Sequence, residues 1–308
     1  MPRFGVVTLT PTPREVADLG VLFSRFPQER QPLELSLQGV LAAKMSNILI
    51  YGINKASEGT VNDYLLQDIK LHSPVYPSSL RDFYAFEQHV KTANQNRGRD
   101  VPEEWYEFPV FYFANASAIY GPDDVIPYPS YSDALDYELE IACVIGKEGR
   151  DIKAENAEDY IFGYMIFNDW SARDIQRKEM KVGLGPAKGK DFANSFGPYL
   201  VTPDELADRH TGRPSVYDLE MIARVNGVER SRGNMKDLYW SFGQMIEHAS
   251  KDVTLYPGEV IGSGTVGTGC LLETTKGAGP WLQTGDVVEL EIERLGILRN
   301  VVGEKRRD

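Results

Sequence analysis

The chain has 308 residues, of which 42% are hydrophobic, 25% charged and 11% aromatic, as is ordinary for a globular enzyme with a real core. A formal net charge of -12 at pH 7, without a basic stripe, excludes nucleic acid as a partner. The sequence lacks the apolar core of a signal peptide and any membrane-length apolar run, and its two cysteines fit small buried side chains, so we expect a cytoplasmic protein with no membrane contact.

The first 72 residues form the first predicted unit. Two prolines at residues 72–79 interrupt any continuous element and mark a domain boundary. We therefore expect a small N-terminal domain over residues 1–72 and a larger domain over residues 73–308. The predicted elements of the first domain are a strand at 5–8, helices at 13–23 and 33–44, and a strand at 47–53.

Strands dominate the chain after residue 80. A helix with a serine N-cap is predicted first, at residues 79–93. The predicted strands lie at 110–113, 137–145, 163–168, 199–201, 219–225, 260–262 and 287–293, and further helices at 171–178, 203–207 and 235–249. Because strands and helices do not alternate as βαβ units, a doubly wound sheet is disfavoured. The pattern favours an α+β, mainly β fold, a mixed β-sandwich or roll with helices on its flank beside the small N-terminal domain.

The most informative segment is the strand within residues 136–146. Apolar residues alternate there with Glu138, Glu140, Ala142 and Val144, which is the period of a β-strand. Alternation puts both glutamates on one face, roughly 6–7 Å apart, at the rim of an interior. Adjacent carboxylates repel each other unless a cation lies between them. The alternative is a solvated edge with two ordinary surface acids.

A second polar pair lies in the predicted helix at residues 79–93. Asp82 and His89 are seven residues apart, and at about 100° per residue this spacing returns to the same helix face. The pattern therefore predicts that a carboxylate and an imidazole share one side of this helix.

A third polar grouping lies where a predicted strand passes into a helix. Asp169, Arg173 and Gln176 follow one another at i, i+4 and i+7, again on one face. An N-cap role for Asp169 or Ser171 would explain one of these residues. It would not explain why an acid, an arginine and a glutamine share a stripe.

The loop at residues 183–192 offers two lysines. Gly185, Pro186 and Gly189 permit a tight backbone path that would turn Lys190 inward toward the acids. A mobile surface charge is the ordinary alternative, and we prefer that interpretation for Lys188.

Four acids emerge as ligands of one hard cation, namely Asp82, Glu138, Glu140 and Asp169. All are oxygen donors and no cysteine or histidine cluster accompanies them, which favours Mg²⁺ or Ca²⁺ over zinc, with Mn²⁺ as a further option. Each acid taken alone is equally well explained as a surface residue. The stretch at residues 262–267 satisfies G-x-G-x-x-G, but no helix begins after it, so a dinucleotide site is rejected.

Taken together, these segments resemble the fumarylacetoacetate hydrolase superfamily over roughly residues 75–303. Several independent motifs occur in the family's order. They are DFYAFEQH at 82–89, YELE at 137–140, NDWSARDIQ at 168–176, GK at 189–190, SGT at 263–265, GCLLE at 269–273, LQTGD at 282–286 and LGILRN at 295–300. The resemblance implies a β-roll catalytic domain, a homodimer, and a Mg²⁺ or Ca²⁺ ion held by the four acids.

The resemblance also implies roles for individual residues. His89 would be the general base that activates water, oriented by Glu273, and Arg173, Gln176 and Lys190 would stabilise the oxyanion. The residues implied in substrate contact are Tyr84, Tyr112, Gln176 and Thr265.

The implied reaction is metal-dependent hydrolysis of a C–C bond in a β-diketo acid. The Asp-to-His segment and the GCLLE motif together resemble the true fumarylacetoacetases, which convert fumarylacetoacetate to fumarate and acetoacetate in tyrosine degradation. Acylpyruvate hydrolysis, and oxo-acid decarboxylation or isomerisation on the same fold, stay open as alternatives. A non-catalytic scaffold that binds Ca²⁺ would account for the four acids but not for His89, Arg173, Gln176 and Lys190.

Some features depart from the eukaryotic enzymes of the family. The N-terminal region is shorter and more helical in pattern than their small β-barrel. Asn115 stands where those enzymes carry an arginine, and the arginine that binds the substrate carboxylate is either Arg97 or Arg99. The sequence leaves the exact substrate open for these reasons.

Overall fold

The structure is a computed structural model that describes residues 5–8, 15–18, 64–65, 68–96 and 98–306. Its strands are β1 (Gly5–Thr8), β2 (Glu15–Asp18), β3 (Tyr64–Leu65), β4 (Leu80–Phe83), β5 (Phe111–Phe113), β6 (Ile119–Tyr120), β7 (Val125–Tyr128), β8 (Leu135–Asp136), β9 (Leu139–Ile145), β10 (Ile161–Asp169), β11 (Ser171–Ala172), β12 (Asn194–Val201), β13 (Glu220–Val225), β14 (Val228–Asn234), β15 (Val260–Gly262), β16 (Val287–Ile292) and β17 (Gly296–Lys305). The α-helices are α1 (Glu87–Gln95), α2 (Arg173–Glu179), α3 (Phe242–Ser250) and α4 (Leu271–Thr274). Shorter 3₁₀ turns lie at Glu103–Tyr106, Ala154–Tyr160, Lys188–Lys190, Pro203–Arg209 and Met235–Asp237.

The N-terminal strands pair into one antiparallel sheet in the order β1–β2–β3. The strand predicted at residues 5–8 is present as β1. The helix predicted at residues 13–23 is wrong at Glu15–Asp18, because this segment pairs with β1 on one side and β3 on the other. Such pairing outweighs the marginal helix stability of so short a segment. The helix predicted at 33–44 and the strand predicted at 47–53 lie outside the described residues, and the domain boundary after residue 72 stays a prediction.

Two facing sheets build the larger part of the fold. The first has seven strands in the order β5–β4–β15–β9–β10–β12–β6, and the second has five in the order β14–β13–β16–β17–β7. Parallel and antiparallel pairs occur in both sheets. Strands β9 and β10 lie against β13, β16 and β17, and the hydrophobic core fills the space between them. This arrangement confirms the predicted mixed, sheet-dominated sandwich or roll.

Strand β9 carries the predicted alternation. Leu139, Ile141 and Cys143 enter the core cluster, while Glu140 belongs to the other face of the strand. Cys143 and Cys270 are both buried and free, as the sequence predicts. The central strand therefore supplies core side chains with one face and functional side chains with the other.

The helix predicted at residues 79–93 is wrong in its first half. Leu80–Phe83 form β4, a fully buried strand that pairs in parallel with β15 and antiparallel with β5. Helix α1 begins only at Glu87, after Phe86, whose side chain makes no capping hydrogen bond. Pairing on both sides satisfies the backbone of the segment better than a first helical turn would. Asp82 therefore belongs to a strand, and only His89 belongs to the helix.

The strand predicted at 260–262 is present with the predicted ends, and the helix predicted at 203–207 is the 3₁₀ turn Pro203–Arg209. The other predicted elements of the larger domain are present with shifted ends, apart from the helix predicted at 235–249. There the chain first makes a 3₁₀ turn, and α3 starts at Phe242 behind a capping box formed by Ser241 and Gln244. The sequence did not predict β14, whose side chains are mostly exposed, because an edge strand of that kind has no hydrophobic period. Across the described ranges, the helices are too short or too polar to span a membrane.

Candidate active site

Three carboxylates meet on one face of the seven-stranded sheet. Asp82 on β4, Glu140 on β9 and Asp169 at the end of β10 each direct one oxygen to a common point, and these oxygens lie within 4.8 Å of one another. All three residues are at most 3% exposed. The two glutamates predicted at the rim of an interior are buried, at 5% exposed for Glu138 and 0% for Glu140, so the alternative of ordinary surface acids is wrong.

Two glycines allow the backbone to approach these acids. Gly262 pairs with Asp82 across β15 and β4, and a Cβ atom there would lie 2.6 Å from Asp82 Oδ1. Gly264 has a φ of +77°, and its N–H donates to Asp82 Oδ1 at 3.2 Å and to Glu140 Oε2 at 3.0 Å. Gly262 and Gly264, two glycines of the rejected dinucleotide motif, thus let the backbone approach the acids, because a side chain would not fit at either position.

The enclosed carboxylates repel one another. Burial, followed by the charge of Asp169, raises the pKa of Asp82 well above its ordinary value. Burial and the charges of Asp82 and Glu138 do the same to the pKa of Glu140. Asp169 Oδ1 is buried and has no hydrogen-bond partner among the residues that the structure describes. An oxygen-only cluster with raised pKa values and an unpartnered buried oxygen fits a hard divalent cation.

Glu138 lies beside this cluster and contacts two cations. Its Oε2 accepts a hydrogen bond from Lys190 Nζ, and its Oε1 lies 2.8 Å from Arg173 Nη2. Burial alone would raise the pKa of Glu138, but the charges of Lys190 and Arg173 prevail and hold it below its ordinary value. Of the four predicted ligands, Asp82, Glu140 and Asp169 thus share one point, and Glu138 lies next to it among positive charges.

Lys190 is buried and Lys188 is exposed, as the loop pattern suggested. Lys190 Nζ donates to both Glu138 and Asp169, whereas Lys188 pairs with Asp191 at the surface. Burial would lower the pKa of Lys190, but the two carboxylates outweigh it and raise that pKa. The carboxylate of Glu179 accepts the three successive backbone N–H groups of residues 187–189 and thereby fixes the turn.

Arg173 and Gln176 lie on α2, but Asp169 does not. Asp169 ends β10, and α2 begins at Arg173 with Ala172 as its N-cap, so neither Asp169 nor Ser171 caps the helix through its side chain. The predicted helical stripe is wrong in this respect. Arg173 Nη1 donates to Gln176 Oε1 at 3.1 Å, and both side chains nevertheless belong to the same polar cluster because Arg173 also reaches Glu138.

His89 and Glu273 form a close buried pair. His89 Nδ1 on α1 lies 2.7 Å from Glu273 Oε2 on α4, and both side chains are at most 6% exposed. Cys270 donates its thiol hydrogen to the same oxygen at 3.7 Å, and Tyr84 meets the imidazole edge-on at 5.3 Å between ring centroids. A carboxylate at Nδ1 favours the proton on that nitrogen, which leaves Nε2 as the basic atom.

The other residues implied in substrate contact also border the acids. Tyr112 OH donates to Asp169 Oδ2 at 2.6 Å, and Thr265 Oγ1 lies 3.4 Å from Glu140 Oε1, to which it donates. Arg99 is exposed and Arg97 lies outside the described residues, so the choice between these two arginines stays open.

Asp136 is a buried site neighbour to which the sequence analysis gave no role. It opens the segment D-Y-E-L-E and lies two residues before Glu138, so the alternation that singled out the glutamates also included it. Its carboxylate accepts a hydrogen bond from Arg173 Nε at 2.8 Å.

Comparisons with known proteins identify the family. The family model for the fumarylacetoacetate (FAA) hydrolase C-terminal domain matches residues 79–303. The chain is 36% identical over 222 residues to 2,4-didehydro-3-deoxy-L-rhamnonate hydrolase of a Sphingomonas species, covering 72% of this chain and 71% of that protein. It is 32% identical over 246 residues to an oxaloacetate tautomerase of Bacillus subtilis, covering 78% and 75%. The structure of fumarylacetoacetate hydrolase from Exiguobacterium antarcticum superposes with a TM-score of 0.71 at 28% identity, covering 98% of this chain and 95% of that one.

The stability of the cation-free protein should fall as pH rises. Asp82 and Glu140 have raised pKa values in the folded state, so they bind more protons there than when unfolded. The free energy of unfolding then drops by about 1.4 kcal/mol per pH unit for each proton, starting above the ordinary carboxylate pKa of about 4. Mg²⁺ replaces these protons, so its stabilising effect should grow with pH. Urea unfolding with and without Mg²⁺ across this range tests this, and a Mg²⁺ effect independent of pH contradicts it.

Replacement of Glu140 by Gln should abolish Mg²⁺ binding in a calorimetric titration, because the amide lacks the charge and turns either a neutral oxygen or an N–H toward the cluster. Glu138→Gln should keep more affinity, since Lys190 and Arg173 already engage both Glu138 oxygens. The exposed Glu304→Gln is the matched control and should bind as the wild type does. Wild-type affinity in Glu140→Gln would exclude this residue as a ligand.

Proposed function

Because the chain belongs to the fumarylacetoacetate hydrolase family, we propose that it is a divalent-cation-dependent hydrolase that cleaves a C–C bond in a β-diketo acid. Fumarylacetoacetate is the first substrate to test, with fumarate and acetoacetate as products. The observation that carries the proposal is the buried pair of His89 and Glu273, 2.7 Å apart, beside carboxylates that fit a cation. A family member that only moved a proton within its substrate would not need a base for water.

The cation would be held by the carboxylates of Asp82, Glu140 and Asp169, with Glu138 as the fourth acid of the site, and Mg²⁺, Ca²⁺ or Mn²⁺ suits such oxygen donors. A cation bound there supplies positive charge that polarises the carbonyl under attack. Raised pKa values and the unpartnered Asp169 Oδ1 support this assignment.

The chain's own residues supply the proton transfers. His89 Nε2 takes a proton from water while Glu273 stabilises the imidazolium that results, and the water oxygen attacks the carbonyl carbon. Arg173, Gln176 and Lys190 offer N–H donors to the oxyanion that develops there. Scission of the adjacent C–C bond then leaves its electron pair on the carbon fragment, which takes up the proton held by His89 and so regenerates the base. The other fragment leaves as a carboxylic acid.

Substrate contacts are proposed for Tyr84, Tyr112, Gln176 and Thr265, which border the acids or the His89 ring. Because Asn115 replaces an arginine, a substrate with a single carboxylate, such as an acylpyruvate, stays open beside fumarylacetoacetate. Its amide donates to the backbone and side chain of Asp191 at 2.9 and 3.0 Å, so it anchors the loop of Lys190 and brings no positive charge to the cleft.

A second function is oxo-acid tautomerisation or decarboxylation, which the relationship to the oxaloacetate tautomerase of Bacillus subtilis supports. Such reactions use the cation and the cationic side chains but no attacking water. A panel of fumarylacetoacetate, acetylpyruvate and oxaloacetate, each assayed with and without Mg²⁺, tests both functions. Turnover of oxaloacetate alone would replace the hydrolase by the second function.

We also propose that the enzyme is a cytoplasmic homodimer. Strand β5 lies at an edge of the seven-stranded sheet and carries Phe113, which is 67% exposed. An apolar sheet edge of this kind is stabilised when a second copy covers it. Light scattering that gives the mass of a single chain at micromolar concentration would exclude the dimer.

His89→Ala should lower the turnover number for C–C hydrolysis by about 10²–10⁴-fold, because the base for water is lost. Its Mg²⁺ affinity should match that of the wild type, and any oxaloacetate decarboxylation should persist because it needs no attacking water. The exposed His72→Ala is the control, with unchanged kinetics. Equal loss of hydrolysis and decarboxylation in His89→Ala would mean that this residue binds substrate or supports the fold.

Lys190→Met keeps the length of the side chain and removes its charge. It should lower kcat by about 10²–10³-fold in a protein that stays folded with Mg²⁺, because one preorganised oxyanion donor is lost. Lys188→Met, on the same loop but exposed, should be kinetically silent. Steady-state kinetics and circular dichroism on both variants decide this, and wild-type turnover in Lys190→Met would remove Lys190 from the mechanism.

A further inference from the structure

Asp136 is a fully buried carboxylate that accepts four hydrogen bonds. Oδ1 accepts from the backbone N–H groups of Tyr137 at 2.9 Å and Leu271 at 2.8 Å. Oδ2 accepts from Leu272 N–H at 3.0 Å and from Arg173 Nε at 2.8 Å. Its exposed fraction is 0%, so these donors replace water entirely. A carboxylate satisfied this completely fixes the groups that donate to it.

One pair of these bonds holds the helix that carries Glu273. Helix α4 has only four residues, and its N-cap Cys270 makes no side-chain capping hydrogen bond. The first two helical N–H groups, of Leu271 and Leu272, donate instead to Asp136. A four-residue helix has no stability of its own, so this remote cap determines where its third residue, Glu273, lies relative to His89.

The hydrogen bond from Arg173 Nε to Asp136 orients the arginine side chain. Asp136 Oδ2 receives Nε, while Nη2 lies 2.8 Å from Glu138 Oε1 and Nη1 donates to Gln176 Oε1 at 3.1 Å. Because the guanidinium is planar, fixing Nε fixes the directions of both terminal nitrogens. The same oxygen of Asp136 thus contacts both the helix that carries Glu273 and the side chain of Arg173.

We propose that Asp136 is a positioning residue that couples the His89–Glu273 pair to Arg173, so that the base and the oxyanion donor are held in one fixed relation. It touches neither substrate nor cation. The role rests on the proposed function for its kinetic consequence, but its structural consequence at His89 is independent of any substrate.

Asp136→Asn is the informative variant because it keeps the shape of the side chain. An amide can accept from the donors at one oxygen position, but its NH₂ group then faces further N–H donors, and the charge that attracts Arg173 is lost. We expect kcat to fall by about 10–100-fold, as for other residues that orient a catalytic group, with KM and Mg²⁺ affinity nearly unchanged. Asp174→Asn is the matched control. Asp174 binds Ser132, Asp133 and Ile175 in the neighbouring segment and should keep wild-type kinetics.

The ¹⁵N resonances of the His89 imidazole give a readout that a merely structural role would not move, since they report which ring nitrogen carries the proton. The chain has four histidines, and a His89→Gln sample identifies the signals. Asp136→Asn should shift them toward those of Glu273→Gln, and Asp174→Asn should leave them in place. Arg173→Lys, which keeps the charge but loses the Nε donor, should shift them in the same direction by less, and it serves if Asp136→Asn does not fold.

Double-mutant cycles complete the test. The combined loss of kcat in Asp136→Asn with Glu273→Gln, and in Asp136→Asn with Arg173→Lys, should be smaller than the product of the single losses. His89 signals unchanged in both Asp136→Asn and Arg173→Lys, or fully multiplicative losses in both cycles, would overturn the coupling. If the wild type turned over no member of the substrate panel, the proposed function would fail, and the His89 signals would still decide the role of Asp136.

Discussion

The site is organised by the cost of burying negative charge. The carboxylates of Asp82, Glu138, Glu140 and Asp169 are nearly inaccessible to water, and Lys190 and Arg173 are the cations in contact with them among the described residues. Uncompensated charges in such a place are strongly unfavourable. A divalent cation at this point would relieve the excess, so the constraint that strains the cation-free protein also favours metal binding. The neighbouring lysine and arginine are fixed for the same reason.

The fold satisfies this constraint by separating the two faces of its central strand. The odd-numbered side chains of β9 fill the core, and Glu140 on the other face accepts a hydrogen bond from the backbone N–H of Gly264. Gly264 brings a backbone N–H within hydrogen-bond distance of both Asp82 and Glu140. The sheet therefore positions the acids side by side, and the loop after β15 brings a backbone donor to two of them.

Proteins similar to this chain differ in the reactions that their names describe. A hydrolase, a tautomerase and a fumarylacetoacetate hydrolase all stand among the similar proteins. The cation and the donors of Arg173 and Lys190 suit any reaction that develops negative charge on a substrate oxygen. In the proposed hydrolysis, His89 with Glu273 would be the element specific to the activation of water. Asp136 accepts hydrogen bonds from the helix that carries Glu273 and from Arg173, so one carboxylate links the His89–Glu273 pair to this arginine.

Local sequence pattern was sufficient to predict strand β9 and to select the polar residues of the candidate site. The two-residue period of residues 137–145 put the glutamates on one face. The glycine-rich loop predicted that Lys190 turns inward and that Lys188 stays at the surface. These features follow from steric rules that act within a few residues. Several motifs in the family's order were likewise sufficient to identify the family, because such motifs can be read from the sequence without knowing the fold.

What the tertiary structure alone decided was how those residues meet. The segment with Asp82 was predicted as a helix and is a strand, because β15 and β5, about 180 and 30 residues away in the chain, pair with it. Asp169 was assigned to a helix face and ends a strand for a similar reason. Asp136 received no role because its partners lie far along the chain, at Arg173 and at Leu271 and Leu272. The sequence alone determined which polar side chains are candidates for the site, and long-range pairing and burial determined their distances, because these depend on contacts that no local period records.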